Sequence, residues 1–252
     1  SWSLINEVRT NGIFVFGGFE ASTKDGVHFL CLYDPDKDQN LERFIGQFAV
    51  HDHNALSPNG DKDCLDLLAC VRKQGGIAIA AHVAADNGLL VTLDGQPRMN
   101  AWKSPDLYAC ALPGPIDEAP QNIQPILKNK NADYHRDRPV TVVNASDVNS
   151  PADLAASRST CFIKMSALSV EGLRQAFLDP KSRVRLNSDP APEPHAEFVA
   201  MAWEGGFLDG TRIHFNGNLN VLIGGRGTGK STIIESLRYA ISADPLGEEA
   251  RK

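Results

Sequence analysis

The stretch Gly224-Gly225-Arg226-Gly227-Thr228-Gly229-Lys230-Ser231 fits G-x-x-x-x-G-K-[ST] without a mismatch. It constrains the chain more than any other feature, because the pattern works only where a strand runs into a helix. The glycines let the backbone curl until several N–H groups point at one centre. The helix that follows turns its positive N-terminal end to the same point. Such a cradle fits a phosphate. Lys230 is placed to lie against β and γ phosphates, Ser231 to ligate Mg²⁺, and Thr232 to reach the α phosphate. The expected nucleotide-binding residues are therefore Gly224, Gly225, Gly227, Thr228, Gly229, Lys230, Ser231 and Thr232, with ATP and Mg²⁺ as the ligand. Asn220-Val221-Leu222-Ile223 predicts the incoming strand. Ile233, Ile234 and Leu237 recur at helical spacing and predict a helix over residues 230–243. A glycine-rich turn with no ligand is the plainer alternative, but it rarely places Gly, Lys and Ser at these offsets.

Upstream, short apolar runs alternate with helical patterns, which predicts an α/β domain. Ile13 to Phe16 reads as a strand closed by Gly17 and Gly18, and His28 to Tyr33 as a second strand stopped by Asp34-Pro35-Asp36. Asp63 to Lys73 carries helical spacing and ends at Gly75-Gly76. Ile77 to Ala81 lacks alternation, as expected of a strand buried on both faces. Leu107 to Leu112, Val140 to Val143 and Cys161 to Met165 are further strands. Val170 to Leu178 is a helix ended by Pro180, and Ser150-Pro151 opens another. Asn187 to His195 holds three prolines in nine residues and predicts an extended linker. Beyond it, Phe198 to Trp203 and Arg212 to Phe215 read as paired strands. The expected organisation is thus residues 1–186, a linker over 187–195, and a second domain over 196–252.

Composition narrows the function classes. No apolar run among the 252 residues approaches the roughly 18 that a membrane helix needs, so no membrane partner is expected. Five cysteines without a CxxC pair predict reduced core thiols and a cytoplasmic location. The net charge of −6 speaks against a surface that coats nucleic acid indiscriminately, while leaving room for a local basic site.

Glu20, His82 and Asp147 each fall near the end of an expected strand, where α/β barrels gather their chemistry at one mouth. Glu, His and Asp suit Zn²⁺, Mn²⁺ or Fe²⁺, and His28, opening the next strand, could reach the same region. Taken singly, each has a structural reading: a hydrogen-bonded histidine, or a helix cap at Asp147. His51-Asp52-His53, His135 and His195 read as surface histidines, and Lys128 to Arg138 as a solvated basic loop.

Two resemblances follow from these motifs. The segment FLDGTRIHFNGNLNVLIGGRGTGKSTIIESLRYA resembles the opening of ABC-type and SMC/RecF-like ATPases, with Arg226 where that group usually has Asn. It implies that the Q-loop, signature, Walker B and switch His belong beyond this segment. The stretches GFEASTKDGVHFLCLYDPD, GGIAIAAHV, VNASDVNSP and CFIKMSALSVEGLRQAFLDPKSRVRL resemble a PHP (polymerase and histidinol phosphatase) domain, most of all the PHP–ATPase fusions of the TrlF family. That resemblance implies a partial distorted β/α barrel holding divalent metals, followed by the first β-strands, P-loop and first helix of the ATPase.

By the same resemblance the motif-II Glu falls on Glu20 and its nearby His on His28. The His of "aHp" falls on His82 and the Asp of "DxH" on Asp147, while Asn149 stands where the motif has His. The family's opening HxH would fall before Ser1. The implied activity is metal-dependent phosphoester hydrolysis coupled to an ATPase that dimerises with its own copy, in nucleic-acid processing such as DNA repair or phage defence. The alternative is a non-catalytic PHP scaffold on a nucleotide-dependent clamp for DNA or protein. A small P-loop kinase or GTPase is a third option, against which the strand pair before the phosphate loop argues.

Overall fold

The computed structural model describes residues 13–48, 60–145, 160–217 and 219–244. The chain divides into two compact units, Ser1–Pro190 and Ala191–Lys252.

The first unit is mixed α/β around a five-stranded sheet in the order β1 (Gly17–Ser22), β2 (His28–Tyr33), β3 (Ile77–Ala80), β4 (Ala109–Leu112) and β5 (Thr141–Asn144). The β1–β2 and β2–β3 pairs are antiparallel, and β3–β4 and β4–β5 are parallel. The described strands form an open sheet and do not close a barrel.

Alternation along the strands decides which side chains meet which layer. Ala78, Ala80, Cys110 and Leu112 face one core with Phe29, Cys31 and Tyr33, covered by helix α1 (Asp38–Phe48) through Phe44 and Phe48 and by α2 (Cys64–Lys73) through Leu67, Leu68 and Val71. Ile77, Ile79, Ala109, Ala111 and Val143 face the other, covered by α6 (Val170–Leu178) through Val170, Leu173 and Phe177. Each of these Leu, Ile, Val and Phe side chains contributes about 1.5–3 kcal/mol by burial. β3 is buried at all four positions because it lies between both layers. Local signals agree with the ends of the helices. Asp63 Oδ1 caps α2 by accepting from Asp66 N at 2.9 Å, and Ser169 Oγ caps α6 by accepting from Gly172 N at 3.0 Å. Between β3 and β4 run two helices not expected from the sequence, α3 (Leu89–Thr92) and α4 (Gly95–Lys103); α5 (Gln124–Leu127) precedes β5, and the antiparallel pair β6 (Cys161–Ile163) and β7 (Val184–Leu186) flanks α6 and the short α7 (Pro180–Arg183).

Two expected strands differ. Ile13 to Phe16 is not in a strand; the strand is the next segment, Gly17–Ser22. Gly17 and Gly18 do not end it but belong to it. A Cβ on Gly18 would lie 2.1 Å from the Cys31 carbonyl oxygen, so β1 approaches β2 this closely only because that position has no side chain. The segment 219–223 is not a strand either: Leu219 is 85% exposed and Ile223 92%. A strand needs a neighbour to take its N–H and C=O groups, and none pairs with this segment among the described residues.

The second unit contains the antiparallel pair β8 (Ala200–Ala202) and β9 (Arg212–His214) and the helix α8 (Lys230–Ala240), which starts at the phosphate loop as expected and ends three residues sooner. The segment 191–199 carries neither helix nor strand and is largely exposed. The cysteines Cys31, Cys64, Cys70, Cys110 and Cys161 are all free. Among the described residues no helix is long and apolar enough to cross a membrane.

Candidate metal centre and phosphate loop

The register of β1 and β2 places Glu20 opposite Leu30 and Ser22 opposite His28. Glu20 and His28 are therefore diagonal neighbours on one face of the pair. His28 is next fixed against β3: its carbonyl accepts from Ala81 N at 3.0 Å, and its own N–H donates to the Asn87 carbonyl at 2.9 Å. His82 follows Ala81 immediately, beyond the carboxyl end of β3, with φ at +28°. A non-glycine residue in that region stores strain of about 1–3 kcal/mol and persists only where its surroundings hold it. Here the turn 81–88 does so: Ala85 N donates to His82 O at 2.8 Å, Val83 N to Ala111 O at 3.0 Å, and Gly88 N to Ala85 O at 2.9 Å.

The result is a cluster of Glu20, His28 and His82 whose ligand atoms all lie within 4.8 Å of one another. His28 Nδ1 is 2.7 Å from Glu20 Oε1, and His82 Nε2 is 3.7 Å from the same oxygen. The two rings stand edge to face with centroids 5.2 Å apart. The first contact is within ion-pair distance but lacks the direction of a hydrogen bond; His28 Nδ1 and His82 Nδ1 are both buried without a hydrogen-bond partner. Direction is the stricter criterion for a hydrogen bond. One carboxylate and two imidazoles whose ligand atoms come this close form a donor set that suits a divalent cation.

The cluster opens onto a cavity of about 360 Å³. Its walls come from the segments that leave the carboxyl ends of β3, β4 and β5, including Ala81, Ala84, Ala111, Pro113 and Ala145, with Glu20 and His82 at one side and Glu118 at another. This is where open sheets with parallel strands place their ligands. The structure thus brings together Glu20, His28 and His82, three of the five expected metal ligands. Asp147 and Asn149 lie outside the described residues, as do His51-Asp52-His53 and the expected helix start at Ser150-Pro151. Glu20 sits inside β1 and not beyond a strand end, a consequence of the shifted β1. His135 and His195 are exposed: Nδ1 of each lies on a backbone carbonyl of its own loop, Asn129 and Glu193, and His195 Nε2 is 3.6 Å from Glu197 Oε1.

In the second unit the phosphate loop takes the backbone form its glycines permit. Gly227 and Gly229 have φ at +81° and +86°, and Gly229 is the N-cap of α8. Lys230 Nζ folds along the loop and donates to the carbonyls of Gly224 at 2.8 Å and Gly225 at 2.5 Å, while Thr228 Oγ1 donates to Gly225 O at 3.0 Å. Gly227, Thr228, Gly229, Lys230, Ser231 and Thr232 line a cavity of about 310 Å³. Phe207, on the short 3₁₀ turn Gly206–Leu208, supplies another wall of that cavity. Nothing in the loop motif points to Phe207; only the neighbouring glycines, which mark a turn, hint at its exposure.

No curated protein and no solved structure matches the chain. Residues 205–251 match the model of a family described as an AAA domain, AAA_23. The glycine-shaped cradle at the start of α8 lies inside the matched segment, so this part of the chain is similar to an AAA-type P-loop ATPase region.

Proposed function

We propose that the chain joins a metal-dependent phosphoesterase of the PHP type, akin to the TrlF family, to the opening segment of an ATP-binding ABC/SMC-like ATPase, and that it acts on nucleic acid. The single observation that carries this reading is the convergence of one carboxylate and two imidazoles, from β1, from β2 and from the strained turn after β3, beside a cavity. In this reading the open sheet is part of the distorted β/α barrel, and residues 1–186, 187–195 and 196–252 are phosphoesterase, linker and ATPase start.

Glu20, His28 and His82, together with Asp147 and Asn149, hold the divalent cation, Mn²⁺, Zn²⁺ or Fe²⁺. A cation bound there lowers the pKa of a water and draws charge from a phosphoryl oxygen. Glu20 Oε1 lies 2.7 Å from His28 Nδ1 and 3.7 Å from His82 Nε2, close enough for all three to reach one cation. In the second unit Gly224, Gly225, Gly227, Thr228, Gly229, Lys230, Ser231 and Thr232 bind ATP with Mg²⁺, and two copies meet through their ATPase parts.

The test is cleavage of a phosphodiester, a DNA oligonucleotide, by the full chain with Mn²⁺. Glu20→Ala, His82→Ala and Asp147→Ala are each expected to lower the rate by at least about a hundredfold, the loss of several kcal/mol of transition-state stabilisation. Undiminished cleavage in all three variants overturns the reading. One residue favours the second reading, a PHP scaffold without catalysis: Asn149, whose neutral amide is a poorer ligand than the imidazole expected there. Metal analysis separates the two readings, because a scaffold retains no transition metal on purification.

A further inference from the structure

The antiparallel pair of β6 and β7 has two unlike faces. Cys161, Ile163 and Val184 pack against the core that α6 covers, and Leu186 is buried. Strand alternation turns the residues between them to the other side. There Phe162 lies directly opposite Arg185, with the guanidinium carbon 4.0 Å from the ring centroid. The guanidinium takes one face of the ring, yet Phe162 is still 56% exposed. Two β-branched residues would pair across these strands equally well without leaving a ring in water.

The same ribbon gathers positive charge. Residues 181–185 hold Lys181, Arg183 and Arg185 and no carboxylate, in a chain whose net charge is −6. The nearest acids in sequence are engaged elsewhere: Asp179 Oδ2 accepts from Ser182 Oγ, and Asp189 Oδ2 accepts from Leu186 N at 2.8 Å. Among the described residues no carboxylate forms an ion pair with Lys181, Arg183 or Arg185. Arg183 is held at the end of the ribbon, where Lys164 N donates to its carbonyl at 2.7 Å and its own Nη1 donates to the Lys164 carbonyl at 3.5 Å. Guanidiniums without a carboxylate, set beside an exposed ring, suit a ligand that alternates anions with flat apolar faces.

We propose that this outer face of the β6–β7 ribbon binds single-stranded nucleic acid: the ring of Phe162 stacks on a base, and Arg183 and Arg185 hold phosphates beside it. The proposal rests on the nucleic-acid part of the function proposed above, and adds a surface that needs no metal. A duplex keeps its bases stacked inside, out of the ring's reach. In a single strand every base has a face to offer, so the ring contributes affinity without reading sequence. The guanidiniums contribute a salt-dependent part, because each phosphate they neutralise releases counterions.

The experiment titrates the full chain against a fluorescein-labelled oligothymidylate of about 12 nucleotides, read by anisotropy in EDTA so that nothing is cleaved. Phe162→Ala is expected to bind it roughly five- to a hundredfold more weakly with the same salt dependence. Phe162→Tyr keeps the ring and is expected to bind as the wild type does. Arg183→Gln and Arg185→Gln together should lower the slope of log affinity against log salt by about 1.4, at about 0.7 for each phosphate of a single strand. Arg43→Gln removes an exposed cation of α1, across the sheet from the ribbon, and should leave the slope unchanged. A duplex of the same length should be indifferent to Phe162→Ala. Unchanged single-strand affinity in Phe162→Ala and in the double arginine variant overturns the proposal. Equal losses on single strand and duplex in Phe162→Ala overturn it as well, because the ring then only props the ribbon. A wild type that fails to bind the oligonucleotide in EDTA but cleaves DNA with Mn²⁺ overturns this proposal alone; one that does neither overturns the nucleic-acid reading too.

Discussion

His28 Nδ1 stands 2.7 Å from Glu20 Oε1, yet no hydrogen bond of acceptable direction joins them. The two atoms come from diagonal positions of an antiparallel pair, so their approach is built into the register of β1 and β2. Strand pairing alone would tolerate a threonine or a serine at either place. The arrangement instead brings a carboxylate oxygen and an imidazole nitrogen to one point, and His82 adds a second imidazole, all within 4.8 Å.

The first prediction follows from that geometry. Glu20→Gln and His82→Ala should each lower the affinity for Zn²⁺ by at least about a hundredfold, since even partners of metal ligands are worth ten- to a hundredfold. Competition with a chromophoric chelator measures this. Thermal unfolding without metal should change little for Glu20→Gln, because the amide has the carboxylate's shape. Equal affinity in wild type and both variants would show that the cluster holds no metal.

Gly88 supports the same site from a distance. It is the N-cap of α3 at an ordinary φ of −80°, so its conformation would suit any residue. Its surroundings would not: a Cβ there would lie 2.3 Å from the His82 carbonyl oxygen, 2.7 Å from Val83 C and 2.8 Å from Ala85 O. These atoms are backbone and have no rotamer by which to yield. Gly88→Ala should cost about 1–3 kcal/mol, the usual range for overpacking, and should weaken metal binding because it displaces His82. Gly46 serves as the control. It lies in α1 with nothing within 4 Å of its would-be Cβ, so Gly46→Ala should stabilise by about 0.5–1 kcal/mol and leave metal affinity alone. Chemical denaturation with parallel metal titration decides both.

Much of this architecture was legible in the sequence, and the exceptions have physical causes. Ile77–Ala80 and Val170–Leu178 stood out because one is apolar at every position and the other has the 3.6-residue stripe that covers a sheet. β1 begins four residues later than its apolar run suggests, because Gly17 and Gly18 look like a stop signal while Gly18 is needed for close strand approach. Gly95–Lys103 carries Gly95, Pro97 and Asn100, all poor helix formers, and its buried residues are Ala101 and Trp102, so packing and not propensity decides that it is a helix. Asn220–Ile223 has strand composition but no strand beside it, and composition does not supply a partner. For the site, sequence position places His28 and His82 at strand ends, whereas Glu20 lies inside β1; that the three meet depends on register and on the strained turn at His82, which no local signal encodes.

Lys230 gives a third prediction. Its ammonium group lies on the carbonyls of Gly224 and Gly225, in the hollow where phosphate oxygens would lie. Lys230→Ala removes a charge-assisted donor to the β and γ phosphates, and such bonds contribute about 1.5–3 kcal/mol each. ATP affinity should fall by about ten- to a hundredfold, and tripolyphosphate affinity by a like factor, since the lysine contacts phosphate and not base. Equilibrium dialysis against both ligands checks this; loss of ATP binding alone would contradict the placement of Lys230.

The buried thiols make the chain's stability depend on pH in the alkaline range. Burial raises Cys110 to about 12, and it pushes Cys31 and Cys64 higher still, with Asp25 beside Cys64 adding to the effect. In the unfolded chain these thiols ionise near the ordinary value of about 8.5. Below that pH they are protonated in both states and the folded state keeps its full advantage. Above it the unfolded chain releases protons that the folded chain retains, so stability falls as pH rises through 9 and continues to fall toward the folded values. Urea unfolding at pH 7.5, 9 and 10 should therefore show a midpoint that declines, and the Cys31→Ala, Cys64→Ala, Cys110→Ala triple variant should show a shallower decline, whatever its loss at pH 7.5. In the folded wild type at pH 8, a thiol reagent should reach Cys70 and Cys161, the two that are only half-buried, well before the other three. Rapid and equal labelling of all five would contradict the burial of Cys31, Cys64 and Cys110.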